Sequence, residues 1–159
     1  VPTDSGYVAL GSGGYHTCAL DAEGGIECWG MDHRGQVSSA PAGSGYTALS
    51  DGAFHGCALD AEGAMDCWGC NNFGEVSDAP TGSGYSMVNG GYQHSCALNA
   101  AEQIECWGRN HFDQVLDAPV NELGYQAVSV GYHHSCALDT AGGIECWGHD
   151  GHDQVSGAP

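Results

Sequence analysis

The chain has 159 residues, enough for one ordinary domain with a real core. Twenty acidic residues face only Arg34 and Arg109, which leaves a formal net charge of −18 at pH 7. That charge repels phosphate backbones and anionic headgroups, so it argues against nucleic-acid binding and membrane docking. It favours cations, basic partners or simple solubility in a salty medium.

The chain divides by repetition. Trp29, Trp68, Trp107 and Trp147 recur at spacings of 39, 39 and 40 residues. A Gly-Tyr pair opens each unit at Tyr7, Tyr46, Tyr85 and Tyr125, and Ala-Pro closes each at Pro41, Pro80, Pro119 and Pro159. The units are 3–41, 42–80, 81–119 and 120–159, forming one repeat domain over 1–159, with Pro2 as the tail of a preceding unit. The extra residue of unit four falls within 120–123. No initiator Met or leader-like stretch is present, so the chain reads as processed or excised.

Unit one predicts four short strands. Residues 7–10 form the first, residues 16–20 and 26–29 form a hairpin, and Gln36 with Val37 forms a brief fourth. Nothing shows helical periodicity. If the hairpin is centred on Glu23, Cys18 faces Cys28, and the same symmetry pairs Cys57 with Cys67, Cys96 with Cys106 and Cys136 with Cys146. Directly opposite residues in an antiparallel pair lie about 4.5–5.5 Å apart at Cα, inside the disulfide window. Each staple closes a loop of about 11 residues, worth roughly 2.5–3 kcal/mol or less.

Eight paired cysteines point to an oxidising location: extracellular, secreted or cell-surface, or the periplasm. A zinc site fits less well, because these pairs lack the close Cys-x-x-Cys knuckle. Cys70 is left over, as an idle thiol or an intermolecular bridge. No run approaches the roughly 20 apolar residues that span a bilayer, so no membrane insertion is expected.

Units of about 40 residues with four strands, a recurring Trp-Gly and Gly-rich turns predict propeller blades. His-[Thr/Ser/Gly]-Cys-Ala-Leu, a turn, Glu-Cys-Trp-Gly and then x-[Asp/Asn]-x-x-[Gly/Asp]-[Gln/Glu]-Val together resemble the regulator of chromosome condensation repeat. The resemblance runs through essentially the whole chain. It implies an all-β fold of tandem four-stranded β-propeller blades, here with one hairpin disulfide per blade. Short units and paired cysteines resemble the family's secreted bacterial branch, which includes a β-lactamase inhibitory propeller, more than its nuclear nucleotide-exchange member. The family ring is typically seven-bladed, so four units imply a longer protein, copies joined end to end, or a smaller ring.

Four sets of residues are candidates for chemistry. His16, His55, His94 and His134 share a face with the cysteines and read as packed rings bonded within the fold. Glu27, Asp66, Glu105 and Glu145 lie on the opposite face; they read as solvated or backbone-bonded carboxylates, or as oxygen ligands suited to calcium. The loops after each tryptophan vary most and occupy one rim, where binding usually resides. Arg34, Phe73, Arg109, His111, Phe112, His149 and His152 are the binding candidates there, and His149 with Asp150, His152 and Asp153 is the transition-metal candidate. Asp32, Asn71, Asn110 and Asp150 recur at one position and are expected to cap the loop.

The expected function is a non-enzymatic extracellular scaffold for recognition or surface structure. Its terminal blades would be completed by further copies of itself or by further blades, as a ring or filament. The rival readings are an inhibitory or protein-binding module using the rim, with a protein or glycan ligand, and, remotely, a metal-dependent enzyme. No catalytic residue and no cofactor other than calcium is assigned.

Overall fold

The computed structural model describes residues 5–159, so Pro2 and the expected start of the first unit at residue 3 lie outside the described residues. The unit pattern folds as four antiparallel sheets, each a blade. Blade 1 contains β1 (Tyr7–Ser12), β2 (His16–Asp21) and β3 (Ile26–Gly30); blade 2 contains β4 (Tyr46–Asp51), β5 (His55–Asp60) and β6 (Met65–Gly69). Blade 3 contains β7 (Met87–Gly90), β8 (His94–Leu98) and β9 (Ile104–Gly108); blade 4 contains β10 (Tyr125–Val130), β11 (His134–Asp139) and β12 (Ile144–Gly148). The described residues contain no helix.

The hairpin register follows the symmetry of the sequence. Cys18 lies opposite Cys28 and Ala19 opposite Glu27, and the same pairing recurs in the other blades. Disulfides join Cys18 to Cys28, Cys57 to Cys67, Cys96 to Cys106 and Cys136 to Cys146. Each hairpin turn is locked by an Asx bond; in blade 1, Asp21 Oδ1 accepts from the backbone N–H groups of Glu23 at 2.9 Å and Gly25 at 2.7 Å.

The blades are three-stranded. The brief fourth strand expected at Gln36 and Val37 is a turn. Its backbone donors are already taken, because Asp32 Oδ1 accepts from the N–H groups of Val37 at 2.8 Å and Ser38 at 2.9 Å. Asn71, Asn110 and Asp150 capture the residues five and six positions on in the same way. The loop also needs a left-handed residue, supplied by Gly35 and Gly74 and, in the other two units, by Asp113 (φ 57°) and Asp153 (φ 58°).

The hydrophobic core sits between blades. The disulfide face of one blade packs on the tryptophan face of the next: Cys18, Cys28 and Ile26 against Ala58, Trp68 and Leu49. The next two joints repeat it, with Cys57 and Leu59 against Val88 and Trp107, then Cys96 and Leu98 against Val128 and Trp147. The indole N–H of each buried tryptophan reaches back one blade. Trp68 donates to the carbonyl of Gln36 at 3.1 Å, Trp107 to that of Glu75 at 2.9 Å and Trp147 to that of Gln114 at 3.0 Å.

The turns joining the first two strands of each blade meet at the hub. A Cβ on Gly13 would lie 2.4 Å from the carbonyl oxygen of Gly52, one on Gly52 would lie 2.6 Å from that of Gly91, and one on Gly91 would lie 2.4 Å from that of Gly131. Glycine is needed here for close backbone approach.

The histidines complete each joint. His55 Nε2 bonds Ser95 Oγ at 2.7 Å and His94 Nε2 bonds Ser135 Oγ at 3.0 Å, each across to the following blade. Blade 2 carries Gly56 at the serine position, and there Asp51 fills the gap. Its Oδ1 lies 3.4 Å from His16 Nε2, and its Oδ2 accepts from the Cys18 N–H at 3.0 Å. A Cβ on Gly56 would meet that carboxylate at 2.8 Å and the Trp68 ring at 2.5 Å. Blade 3, with Ser95, has Gly90 in place of the aspartate.

These two positions are therefore coupled. Asp51→Gly alone leaves the buried Cys18 N–H without its side-chain acceptor and removes the carboxylate beside His16, and Gly56→Ser alone clashes; each is expected to cost about 1–3 kcal/mol. The double variant relieves the clash with the carboxylate and offers His16 a hydroxyl as Ser95 does His55, while the Trp68 ring must still shift in either background, so denaturant unfolding should give a coupling of about 1 kcal/mol, on the order seen for contacting residues. Additive losses would refute the pairing.

Candidate functional site

The chain folds so that its hub turns and its post-tryptophan loops share one end. Each second strand runs back from that end to the hairpin turn, and each third strand returns to it. Backbone bonds tie the two sets of loops together: the N–H groups of Met31, Cys70, Arg109 and His149 donate to the carbonyls of Tyr15, Phe54, Gln93 and His133.

The rim is aromatic. Tyr15 stacks on Phe54 with ring centroids 5.4 Å apart, Phe54 meets Tyr92 edge-on at 5.8 Å, and Tyr92 stacks on Tyr132 at 4.0 Å. This row crosses all four blades, with Tyr15 58% and Tyr132 60% exposed. Beneath it the hub turns enclose an open hollow of about 470 Å³, lined by Gly13, Gly52, Gly91 and Gly131 with Tyr15, Tyr92 and Tyr132 among others.

The expected binding residues surround this row as two clusters. Arg109 sits over the Phe73 ring at 5.2 Å and donates to Gln93 Oε1 at 2.7 Å, while His111 meets Phe73 edge-on at 5.7 Å. Phe112 packs on His149 at 4.6 Å and on His133 at 5.1 Å, and His133 in turn meets Tyr132 at 4.4 Å. Arg34 stands apart, reaching Asn72 of the next blade at 3.4 Å. His152 is exposed at the last loop and borders a hollow of about 420 Å³ with His133, His134, His149 and Gln154.

Sequence reasoning did not single out Tyr15, Phe54, Tyr92, Tyr132 and His133. The signal was an aromatic residue one or two places before the repeating histidine in every unit. The change of offset between the first and last pairs of blades hid it.

The four carboxylates are held one to a blade. Glu27 accepts from the Tyr7 hydroxyl, Asp66 from Tyr46 at 2.5 Å, Glu105 from Tyr85 at 2.8 Å and Glu145 from Tyr125 at 3.2 Å. Partial burial, reinforced by the bonded carboxylate, pushes the phenols of Tyr46 and Tyr85 up to about 12. Tyr125 is pushed up to about 12 by the same burial and by the Glu145 charge. The opening tyrosine of each unit is thus a strap to its own hairpin.

Among the described residues, the only grouping close enough for a metal ion is His16, Cys18 and Asp51. The Cys18 sulfur is spent in a disulfide, and a disulfide sulfur is not the thiolate a metal takes. His149 Nδ1 is held by Gln154 Nε2 at 2.9 Å. Cys70, expected as an idle thiol or a bridge, is 4% exposed, too deep to reach another chain.

The joint histidines have altered proton affinity. Burial, then the charge of His16, lowers His55 to about 4; burial, then its histidine neighbours, lowers His94 to about 4. Both rings are neutral in the folded chain at neutral pH and regain an ordinary affinity near 6.5 when unfolded.

Comparison with known proteins fits this architecture. Residues 7–36 and 47–75 match the Regulator of chromosome condensation (RCC1) repeat. Among solved structures, the ectodomain of the Physcomitrella patens receptor kinase CR4 is similar at 27% identity and a TM-score of 0.75, over 89% of this chain and 40% of that one. The CRINKLY WD40 ectodomain of the Arabidopsis thaliana receptor kinase ACR4 is similar at 22% identity and a TM-score of 0.71, over 89% of this chain and 50% of that one. Prp20p of Saccharomyces cerevisiae, whose structure is described with its binding to Gsp1p and histones, is similar at 22% identity and a TM-score of 0.77, over 93% of this chain and 47% of that one. The chain spans half or less of the length of these three proteins. No curated protein matches the sequence.

Stability should be complete above pH 6.5 and fall as pH drops toward 4, because the unfolded chain binds the protons first. Each ring contributes a loss on the order of 3 kcal/mol. Urea midpoints between pH 7 and 5 should decline with uptake of about two protons on unfolding; a flat profile would show that the rings are not buried neutral.

Proposed function

We propose that this chain, in which residues 7–36 and 47–75 match the regulator of chromosome condensation repeat, is a non-enzymatic, extracellular propeller scaffold that recognises a partner protein through its aromatic rim. The row from Tyr15 through Phe54 and Tyr92 to Tyr132 carries the reading. Stacked aromatics on a rigid frame present large apolar area at little entropic cost, and tyrosine and arginine are the residues that dominate binding energy at protein interfaces. The two arginines of the chain both lie in the rim loops, and Phe73 and Phe112 remain 38% and 39% exposed beside them.

Three further observations support the proposal. Four disulfides suit an oxidising exterior. The similar plant proteins are receptor ectodomains. The grouped ligand-type side chains at His16, Cys18 and Asp51 are engaged in a staple and a joint. The blade arc is completed in this reading by further blades at its ends.

The test is a capture screen on arrays of extracellular proteins and glycans. Tyr92→Ala and Phe112→Ala should each weaken the protein hit at least about tenfold. Glu62→Gln, in a hairpin turn at the opposite end, should leave it unchanged. Binding indifferent to the rim, or hits among glycans alone, would overturn the reading.

A further inference from the structure

The charges of this chain are sorted by end. The hairpin turns far from the rim carry Asp21, Glu23, Asp60, Glu62, Glu102 and Asp139, whereas the only two arginines, Arg34 and Arg109, both lie at the rim. Arg34 is exposed and reaches Asn72. Arg109 is held more firmly. It opens the third post-tryptophan loop, at the place occupied by Met31, Cys70 and His149 in the other units. Its backbone N–H donates to the Gln93 carbonyl at 2.8 Å, and its Nη1 donates to the Gln93 side-chain Oε1 at 2.7 Å. The guanidinium lies over the Phe73 ring of the preceding blade at 5.2 Å. Anchors on two blades thus fix the plane of the fork, and little rotamer freedom remains to be lost on binding. Both anchors sit at the joint of blades 2 and 3, inside the arc.

That fork has no acid. The chain holds twenty carboxylates, yet the only ion pair among the described residues is His16 with Asp51. Glu75, in the facing loop, is buried with its Oε2 accepting from the Phe73 N–H. Arg109 Nε is buried without a partner, and Nη2, neither buried nor bonded among the described residues, is the donor left open. A guanidinium half out of water with no counterion leaves an unmet demand for one. Basic groups crowd it further. His111 meets the same Phe73 ring edge-on at 5.7 Å. Burial first, and then the Arg109 charge, holds His133 below its ordinary range.

We infer that Arg109 is an anion socket in the rim, which takes a carboxylate of the partner protein while Phe73 and Phe112 pack the apolar residue beside that carboxylate. A planar guanidinium stacked on a ring matches the two oxygens of a carboxylate, and the pairing is stronger than one between neutral groups. A phosphate fits the same fork. At a net charge of −18, however, the chain repels a dianion about twice as strongly as a monoanion, which favours the carboxylate. At physiological ionic strength that repulsion is screened beyond about 8 Å, so it acts on approach and little at contact. The chain and its socket therefore have opposite signs. Partners that are merely acidic are held off, and one that presents a single carboxylate against an apolar patch is selected on docking. The inference rests on the reading of the rim as a protein-recognition surface, and it names the group recognised there.

Nuclear magnetic resonance titration of the full chain tests it, with phenylacetate as the probe, phenylacetamide as its neutral isostere and phenyl phosphate as the dianion. Phenylacetate should shift the side-chain N–H signals of Arg109 and the ring signals of His111, and bind at least about fivefold more tightly than phenylacetamide. Added salt should weaken the acid and leave the amide unchanged. Arg109→Gln should abolish the preference, and Arg109→Lys, which keeps the charge and loses the planar fork, should retain only part of it. Both variants should match wild type in near-ultraviolet circular dichroism. Equal binding of acid and amide, a preference that survives Arg109→Gln, or phenyl phosphate bound about tenfold more tightly than phenylacetate would overturn the assignment. With a protein captured by the rim, Arg109→Gln should weaken binding about tenfold. Capture that is lost in Tyr92→Ala but unchanged in Arg109→Gln would sink the carboxylate and leave the rim reading standing. Capture indifferent to Tyr92→Ala would remove the rim reading whatever phenylacetate does.

Discussion

The packing of a disulfide face on a tryptophan face is the contact on which everything else in this molecule depends. A three-stranded sheet of 14 to 17 strand residues cannot bury enough apolar surface alone. The disulfide fixes the hairpin, but the hairpin becomes a core only when the next blade brings its indole, alanine and Leu or Val against it. The indole N–H to the preceding Gln or Glu carbonyl sets the tilt of one blade on the next. The histidine-to-serine bond sets it again a few ångströms toward the hub. Two polar pins in an apolar joint give a repeatable angle, because leaving either one unpaired in a dry interface is costly.

That repeatable angle makes the rim. The aromatic row exists because the hub turns are spaced by backbone contact between glycines, which brings successive rings to stacking distance. Longer or bulkier turns would spread the blades and separate Tyr92 from Tyr132. The polar loops then take their places from below, each tied by an Asx capture and the first three wrapped around a buried Gln or Glu. Their ends are rigid and their tips are free to vary. Joint and outward display thus use different residues of the same loop: Gln114 holds the joint, while Phe112, two residues earlier, faces outward beside His149.

The carboxylate set illustrates how a repeating charge can be structural. Glu27, Asp66, Glu105 and Glu145 recur because each ties down the tyrosine that opens its unit, twenty residues earlier. Periodicity identified them as important, and their chemistry in isolation suggested a hard cation. In the structure each of these carboxylates has a phenol of its own blade as partner. Asp51 is the complementary case. It is irregular in the repeat, and so looks incidental, yet it replaces a missing hydroxyl in a buried joint.

The sequence by itself determined the repeat, the hairpin register and the four disulfides, because these are local: a turn of fixed length places Cys18 opposite Cys28 whatever surrounds it. It also marked the rim loops, since their variation stands out against a regular frame. Tertiary structure alone decided what lies between blades. The loss of the brief strand at Gln36 and Val37 to an Asx-capped turn, the pairing of His55 with Ser95 forty residues away, the exchange of Asp51 and Gly56, and the stacking of Tyr92 on Tyr132 all follow from how one sheet is set against the next. Those distances are fixed by the angle of the joint, which no periodicity within a single unit records.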